Sequence, residues 1–154
     1  RAAPRAGACP RARLWLPGAR EAGREAYLAE LEALAVQLGV AGACLFTAPT
    51  SRIAEAYAAS DLVLQLSRKP DSFGRTVVEA LSVGRAVLGW SHGGVGELLA
   101  QLQPQGAVPP FDADALVHAA AALLRSPPRP PDAVPYTLQA MQQATLELYA
   151  ELAG

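Results

Sequence analysis

Residues 61–97 read DLVLQLSRKPDSFGRTVVEALSVGRAVLGWSHGGVGE, and this stretch decides the fold. An apolar run at 62–66 predicts a buried strand, and a polar loop and a helix over about 73–81 follow it. Residues 86–90 are a second apolar run, after which another loop opens a helix near Gly94. Strand, loop and helix therefore occur twice in succession, which is the order of elements in a parallel α/β sheet.

Two acidic residues frame the first helix of this stretch. Asp71 precedes the helix and Glu79 lies within it, and the helical rise predicts a separation on the order of 10 Å. The helix N-terminus between them favours phosphate, because its N–H groups lack intrahelical acceptors and its dipole is positive there. Carboxylates accept hydrogen bonds from hydroxyl groups, so the pattern suits a nucleotide diphosphate sugar. The alternative is that Asp71 or Ser72 caps the helix and Glu79 is a solvated helix residue.

The same stretch resembles the donor-site signature of GT-B glycosyltransferases of family 4. In that family the first acid is usually Glu, and a Pro usually stands where this chain has Ala86. The resemblance covers roughly residues 11–150 and implies a Rossmann-like α/β fold, with a parallel sheet and helices on both faces, like the C-terminal domain of a GT-B enzyme. The residues that carry it are Asp71-Ser72-Phe73-Gly74, Glu79-Ala80-Leu81, Gly84, His92-Gly93-Gly94 and Glu97.

The resemblance implies a retaining hexosyltransferase that uses a nucleotide diphosphate sugar as donor and needs neither a metal nor a further cofactor. By resemblance, Asp71 would bind hydroxyls of the donor hexose and Glu79 would bind the ribose hydroxyls, and these two form the expected catalytic pair. His92 is a further candidate to face the sugar, although a lone loop histidine is more often structural. The expected donor-binding residues are Phe73, Gly74, Arg75, Thr76, Phe46, Thr47, Gly93 and Gly94.

The sequence predicts three parts: a partial Rossmann-like donor-binding domain over 1–125, a Pro-rich linker over 126–135 and a C-terminal helix over 136–154. The first strand–helix unit of the family and its N-terminal domain have no counterpart here. We therefore expect a fragment of a longer protein that is inactive alone. The family's strand order is 3-2-1-4-5-6, so the missing first strand predicts either a gap between the strands at 14–16 and 62–64 or a rearranged pairing.

Composition argues against several other classes of protein. The chain has 154 residues, 51% of them hydrophobic, and a net charge of −1, so no general attraction to nucleic acid or anionic lipid is expected. Cys9 and Cys44 form neither a disulfide framework nor a metal set, which favours a reducing, cytoplasmic setting. No apolar run reaches membrane-spanning length, and peripheral association of the full enzyme with the inner membrane face stays compatible with the sequence.

Three alternatives compete with the GT-B interpretation. Asp112-Ala113-Asp114 matches the Asp-x-Asp metal motif of GT-A enzymes, but it opens a helix, where acids favour the dipole. A phosphorylase that uses pyridoxal phosphate needs a Schiff-base lysine, and Lys69, the only lysine, lies in a Pro-flanked loop. The alternative function that stays open is a nucleotide-sugar-binding module, or an inactive remnant, without catalysis.

Overall fold

A computed structural model describes residues 11–153 of the chain. The chain divides into two compact units with a boundary between Ile53 and Ala54. The strands form two parallel sheets, a two-stranded sheet in the first unit and a three-stranded sheet in the second. Cys9 lies outside the described residues, and Cys44 is a free thiol.

The first unit contains strand β1, helix α1 and strand β2. The two strands pair in parallel, with Leu14 opposite Cys44 and Pro17 opposite Thr47. Among the described residues of this unit only Ala35 is buried, although the leucine spacing of the helix predicts a whole apolar face. The reason is that a sheet of two strands offers a helix little surface to cover. The bounds are β1 (Leu14–Pro17), α1 (Glu25–Gln37), a short 3₁₀ turn (Ala41–Ala43) and β2 (Cys44–Thr47).

The second unit contains three strands and the remaining helices, and its strands pair in parallel in the order β3-β4-β5. Leu62 lies opposite Ala86 in the first pair, and Gly89 lies opposite Ala107 in the second. The helix that spans the unit boundary is α2 (Ile53–Ala58). The other bounds are β3 (Leu62–Gln65), α3 (Arg75–Ser82), β4 (Ala86–Trp90), α4 (Gly93–Leu102), β5 (Ala107–Val108), α5 (Ala113–Arg125) and α6 (Leu138–Ala153).

Strand β4 is the centre of the second unit, and all five of its residues are buried. Val87 packs in one apolar cluster with side chains of α3 and α4, including Val77 and Leu99. Leu88 packs in a second cluster with Leu123 of α5. Because successive side chains of a strand point to opposite faces, helices cover both faces of this sheet. The predicted Rossmann-like α/β class with a parallel sheet is therefore confirmed.

A buried glutamine completes the hydrogen bonding of β4 where its neighbour is too short. Strand β5 pairs only with Gly89 and Trp90, so the backbone of Val87 needs another partner on that side. The Gln103 side chain, only 3% exposed, provides it. Its Oε1 accepts a hydrogen bond from Val87 N at 3.0 Å, and its Nε2 donates one to Val87 O at 2.8 Å.

Among residues 11–153, β1 and β3 belong to different sheets. The apolar side chains Leu138, Met141 and Leu148 of α6 are exposed. In that same described range, no helix has the length and apolar character needed to cross a membrane.

Candidate functional site

Asp71 lies in the loop between β3 and α3, and its two carboxylate oxygens have different surroundings. Oδ1 accepts hydrogen bonds from the backbone N–H groups of Phe73 and Gly74, both at 2.9 Å. These bonds, that from Gly74 first, lower the pKa of Asp71 below its ordinary value. Oδ2 has a long contact of 3.5 Å with Nε2 of Gln65, at the end of β3. One oxygen thus holds the loop, and Oδ2, with only a long contact to Gln65, can accept a further hydrogen bond.

Helix α3 begins two residues later than the sequence predicts, because Gly74 adopts a left-handed conformation, with φ of 79°, just before it. The N–H groups of Phe73 and Gly74 already donate to Asp71. The N–H groups of Arg75 and Thr76 open the helix, where no intrahelical acceptor exists. Of the expected donor-binding residues 73–76, Arg75 and Thr76 therefore keep N–H groups without an intrahelical acceptor, and the Arg75 guanidinium adds positive charge at this end of the helix.

Glu79 lies in the second turn of α3 and is exposed, although Val78 and Ala80 beside it are buried. Its Oε2 accepts a hydrogen bond from the Tyr57 hydroxyl of α2 at 3.1 Å. Burial raises the pKa of Tyr57; a hydrogen bond with Thr76 opposes this rise, and the bond with Glu79 adds to it. Tyr57 therefore stays protonated at neutral pH and is a donor that orients the Glu79 carboxylate.

Gly93 and Gly94 begin α4 directly against the Asp71 loop. The Gly94 N–H donates to the backbone carbonyl of Asp71 at 2.8 Å. A Cβ at Gly94 would lie 2.8 Å from backbone atoms of Ser72 and Phe73, and a Cβ at Gly93 would lie 2.6 Å from the Asp71 carbonyl oxygen. Side chains at either position would push this loop away, so both glycines set the position of Asp71.

The remaining predicted residues lie in different parts of the fold. Nε2 of His92 lies 3.2 Å from the carbonyl oxygen of Ser67, so this ring contacts the loop that follows β3. Phe46 and Thr47 are in the first unit, at the carboxyl end of β2. Their carbonyls accept hydrogen bonds from Arg20, Nε to Phe46 at 2.9 Å and backbone N–H to Thr47 at 3.0 Å. Within that unit these two residues fix the loop that follows β1.

Asp112 is the N-terminal cap of α5. Its Oδ1 accepts a hydrogen bond from Ala115 N at 2.9 Å, as the helix-opening interpretation predicts. Among residues 11–153, no group of three His, Cys, Asp or Glu side chains is arranged to hold a metal ion.

A cavity of about 460 Å³ lies away from these residues, between Asp61, Arg85 and the prolines of the 127–130 segment. Asp61 and Arg85 precede β3 and β4, so the cavity is at the amino ends of the strands. Ligands of open α/β sheets bind at the carboxyl ends, where Asp71 and His92 lie. The cavity is therefore not part of the candidate site.

The sequence alone missed Tyr57 and Gln65 as neighbours of the acidic pair. The apolar run at 62–66 predicts only that Gln65 belongs to a buried strand, and nothing in the sequence around Tyr57 points to an acidic partner. Both contacts join residues from different elements, with 22 positions between Tyr57 and Glu79. A tyrosine on an amphipathic helix carries no signal of what its hydroxyl will meet.

Comparison with known proteins agrees with this architecture. The family model described as glycosyl transferases group 1 matches residues 12–139. HepE from Anabaena, solved in complex with UDP, is 25% identical with a TM-score of 0.66, over 92% of this chain and 42% of HepE. HepE in complex with UDP and glucose is 24% identical with a TM-score of 0.63, over 90% of this chain and 40% of HepE. Among curated proteins, no significant match was found.

Sucrose-phosphate synthase from Thermosynechococcus elongatus has a TM-score of 0.73 at 24% identity, over 91% of this chain and 38% of that one. At this identity the likeness supports the fold. The chain spans about two fifths of the length of the solved structures it matches. Because the family model covers most of the residues, this chain belongs to the glycosyl transferases group 1 family, with the fold of its GT-B neighbours.

Proposed function

We propose that this chain is the donor-binding half of a retaining glycosyltransferase, of the family 4 type, that transfers a hexose from a nucleotide diphosphate sugar without a metal. The observation that carries the proposal is the pair of oriented carboxylates about the start of α3. Asp71 is held by two backbone N–H groups and Glu79 by the Tyr57 hydroxyl. Carboxylates repel phosphates, so these two are not expected to bind the diphosphate itself. Fixed carboxylates beside a helix end that favours phosphate are suited to accept hydrogen bonds from the hydroxyl groups on either side of the diphosphate.

Each residue has a defined part in this proposal. Oδ2 of Asp71 accepts a hydrogen bond from a hydroxyl of the donor hexose, and Glu79 accepts hydrogen bonds from the ribose. The diphosphate lies between them at the N–H groups of Arg75 and Thr76. When the bond from the anomeric carbon to the diphosphate breaks, the departing oxygen gains negative charge. The helix dipole and the Arg75 guanidinium stabilise that charge.

The donor proposed for testing first is UDP-glucose. HepE, which is 25% identical to this chain, was solved with UDP, and a further HepE structure contains UDP-glucose. We propose that the acceptor site belongs to an N-terminal domain, for which the greater length of the matched structures leaves room. A cytoplasmic setting is part of the proposal, and the free thiol of Cys44 is compatible with it.

The test is the contrast between two variants of the full-length protein, titrated calorimetrically with UDP and with UDP-glucose. Glu79→Gln removes a charged acceptor at the ribose and should weaken both ligands. Asp71→Asn should weaken UDP-glucose and leave UDP unchanged, because only the sugar reaches this residue. A hydrogen bond to a charged group contributes about 1.5–3 kcal/mol, so each affected affinity should fall about 10- to 150-fold.

The matched controls are Glu147→Gln on α6 and Asp114→Asn on α5, which remove the same charges at exposed positions. Both controls should bind the two ligands like the wild type. If both variants lose affinity for UDP and for UDP-glucose equally, the assignment of Asp71 to the hexose and of Glu79 to the ribose is wrong. Unchanged affinities in both would show that Asp71 and Glu79 serve only the helix. Donor binding without transfer to any acceptor would favour the non-catalytic binding module.

A further inference from the structure

Phe111 has a backbone conformation that its side chain does not favour. It follows Pro109-Pro110 and directly precedes Asp112, the cap of α5. Its φ of 66° is in the left-handed region and is the one positive φ at a non-glycine residue among those the structure describes. A bulky aromatic residue is strained there, and glycine would adopt the conformation freely. Local backbone preference therefore does not explain a phenylalanine at this position.

Burial does not explain the residue either, since Phe111 is 59% exposed. Its ring centroid lies 5.8 Å from that of Trp90, the last residue of β4, in a tilted arrangement. It lies 5.9 Å from the ring of His92, edge to face. These two contacts fix the orientation of the ring and leave much of it open to solvent.

The contacts also place Phe111 next to the candidate site. His92 precedes Gly93 and Gly94, and the Gly94 N–H donates to the carbonyl of Asp71 at 2.8 Å. His92 also reaches the Ser67 carbonyl in the loop that leads to Asp71. Phe111 is thus at the carboxyl edge of the sheet, one side chain away from the two loops that position Asp71. In open α/β sheets this edge is where ligands bind.

We propose that the exposed face of Phe111 stacks against a hexopyranose ring and thereby helps to select the sugar. One face of a pyranose carries several C–H groups and few hydroxyls, and such a face packs against the electron-rich face of an aromatic ring. Asp71 then accepts from a hydroxyl at the rim of the sugar, while Phe111 covers an apolar face. This inference rests on the proposed function. The sugar is either the hexose of the donor or a sugar ring of the acceptor.

The experiment compares Phe111→Leu with Phe111→Tyr in the full-length protein. Leucine keeps an apolar cover over Trp90 but has no flat ring, whereas tyrosine keeps the ring. Isothermal titration measures the affinity for UDP, for UDP-glucose, and for glucose added to the UDP-saturated protein. Stacking predicts that Phe111→Leu weakens a sugar-containing ligand about 2- to 10-fold with UDP affinity unchanged, and that Phe111→Tyr retains wild-type affinity.

The two sources of the sugar give different patterns. Loss confined to UDP-glucose assigns the stacked ring to the donor, and loss confined to glucose on the UDP complex assigns it to the acceptor side. Equal affinities of wild type and Phe111→Leu for both sugar ligands would overturn the proposal and leave Phe111 as a cover for Trp90. A Phe111→Tyr loss as large as that of Phe111→Leu would also overturn it.

Two further variants separate the effect on sugar binding from the effect on folding stability. Phe111→Gly relieves the left-handed strain, so its urea midpoint should fall less than that of Phe111→Ala, while both should lose sugar affinity as Phe111→Leu does. A wild-type protein that binds neither UDP nor UDP-glucose, nor the ADP and GDP sugars, would overturn the proposed function and this inference together. If the wild type binds these ligands and the Phe111 variants bind them with the same affinity, the inference alone is overturned.

Discussion

At the level of single residues, the hydroxyl of Tyr57 is the contact by which a second helix orients one of the two acids. It donates to Glu79 Oε2 at 3.1 Å, and the ring packs beside the apolar cluster around Val87. Tyr57→Phe keeps the packing and removes the donor. We expect UDP affinity to fall about 2- to 10-fold, as for loss of one net hydrogen bond, with the urea midpoint nearly unchanged.

The control for this variant is Tyr149→Phe on α6, where the side chain is exposed. It should leave UDP binding unchanged in the same titration. If Tyr57→Phe binds UDP like the wild type, then Glu79 is oriented without the hydroxyl, and the hydrogen bond is only a surface contact.

The Asp71 carboxylate should make folding stability depend on pH in the acidic range. Hydrogen bonds from Gly74 and Phe73 lower its pKa from the ordinary value of 3.8. A lowered pKa in the folded state means that the ionised form contributes stability above the ordinary value. That contribution is lost as the pH falls through the lowered one. Wild type should therefore lose more stability than Asp71→Asn between pH 7 and pH 3.

The measurement is the urea midpoint of both proteins at pH 7, 5 and 3. Glu30→Gln on the exposed side of α1 controls for the general loss of an acidic charge. A difference in urea midpoint between wild type and Asp71→Asn that stays constant over this pH range would contradict the prediction. It would show that the folded state does not favour the ionised form of the carboxylate.

At the level of secondary-structure elements, the Gln103 side chain takes the place of a neighbouring strand beside Val87 of β4. Both of its amide atoms bond to the backbone of Val87, and the side chain is buried. Gln103→Leu would leave a buried N–H and a buried C=O without partners. At about 1–3 kcal/mol for each unsatisfied group, the free energy of unfolding should fall by about 2–6 kcal/mol in urea denaturation.

Gln105→Leu is the matched control, because Gln105 lies two residues away and is exposed. It should change the free energy of unfolding by no more than about 0.5 kcal/mol, as is usual for surface substitutions. A similar small effect for Gln103→Leu would mean that β4 rearranges or that water replaces the amide.

At the level of the whole molecule, the two units differ in how much core they contain. In the first, Ala35 is the one buried residue among those described, whereas β4 of the second is buried throughout. Segments with few buried contacts open at lower free energy. Hydrogen–deuterium exchange should therefore be faster for peptides covering β2 than for peptides covering β4.

This comparison has a clear opposite outcome. Equal protection of β2 and β4 would show that the two units open together as one cooperative body. Slow exchange at β4 with fast exchange at both β1 and β2 would agree with the prediction and show that the two-stranded sheet opens first, as its small number of strands suggests.

The sequence by itself determined the order of strands and helices and the positions of Asp71 and Glu79 before and within α3, and its resemblance pointed to the glycosyltransferase family that the family model shows. These are local properties: apolar runs, helix-stopping glycines and the spacing of charges are set by neighbours along the chain. They also predicted the parallel α/β class.

Only the tertiary structure decided which side chains meet. Tyr57 donates a hydrogen bond to Glu79, which is 22 residues away in the sequence, and Gln103 accepts one from Val87, which is 16 residues away. Phe111 meets His92 and Trp90 from a separate turn. Such contacts depend on how strands and helices pack across the sheet, and a residue's own neighbours in sequence say nothing of them. The same cause left α1 with a single buried alanine, because burial depends on the surface that other elements provide.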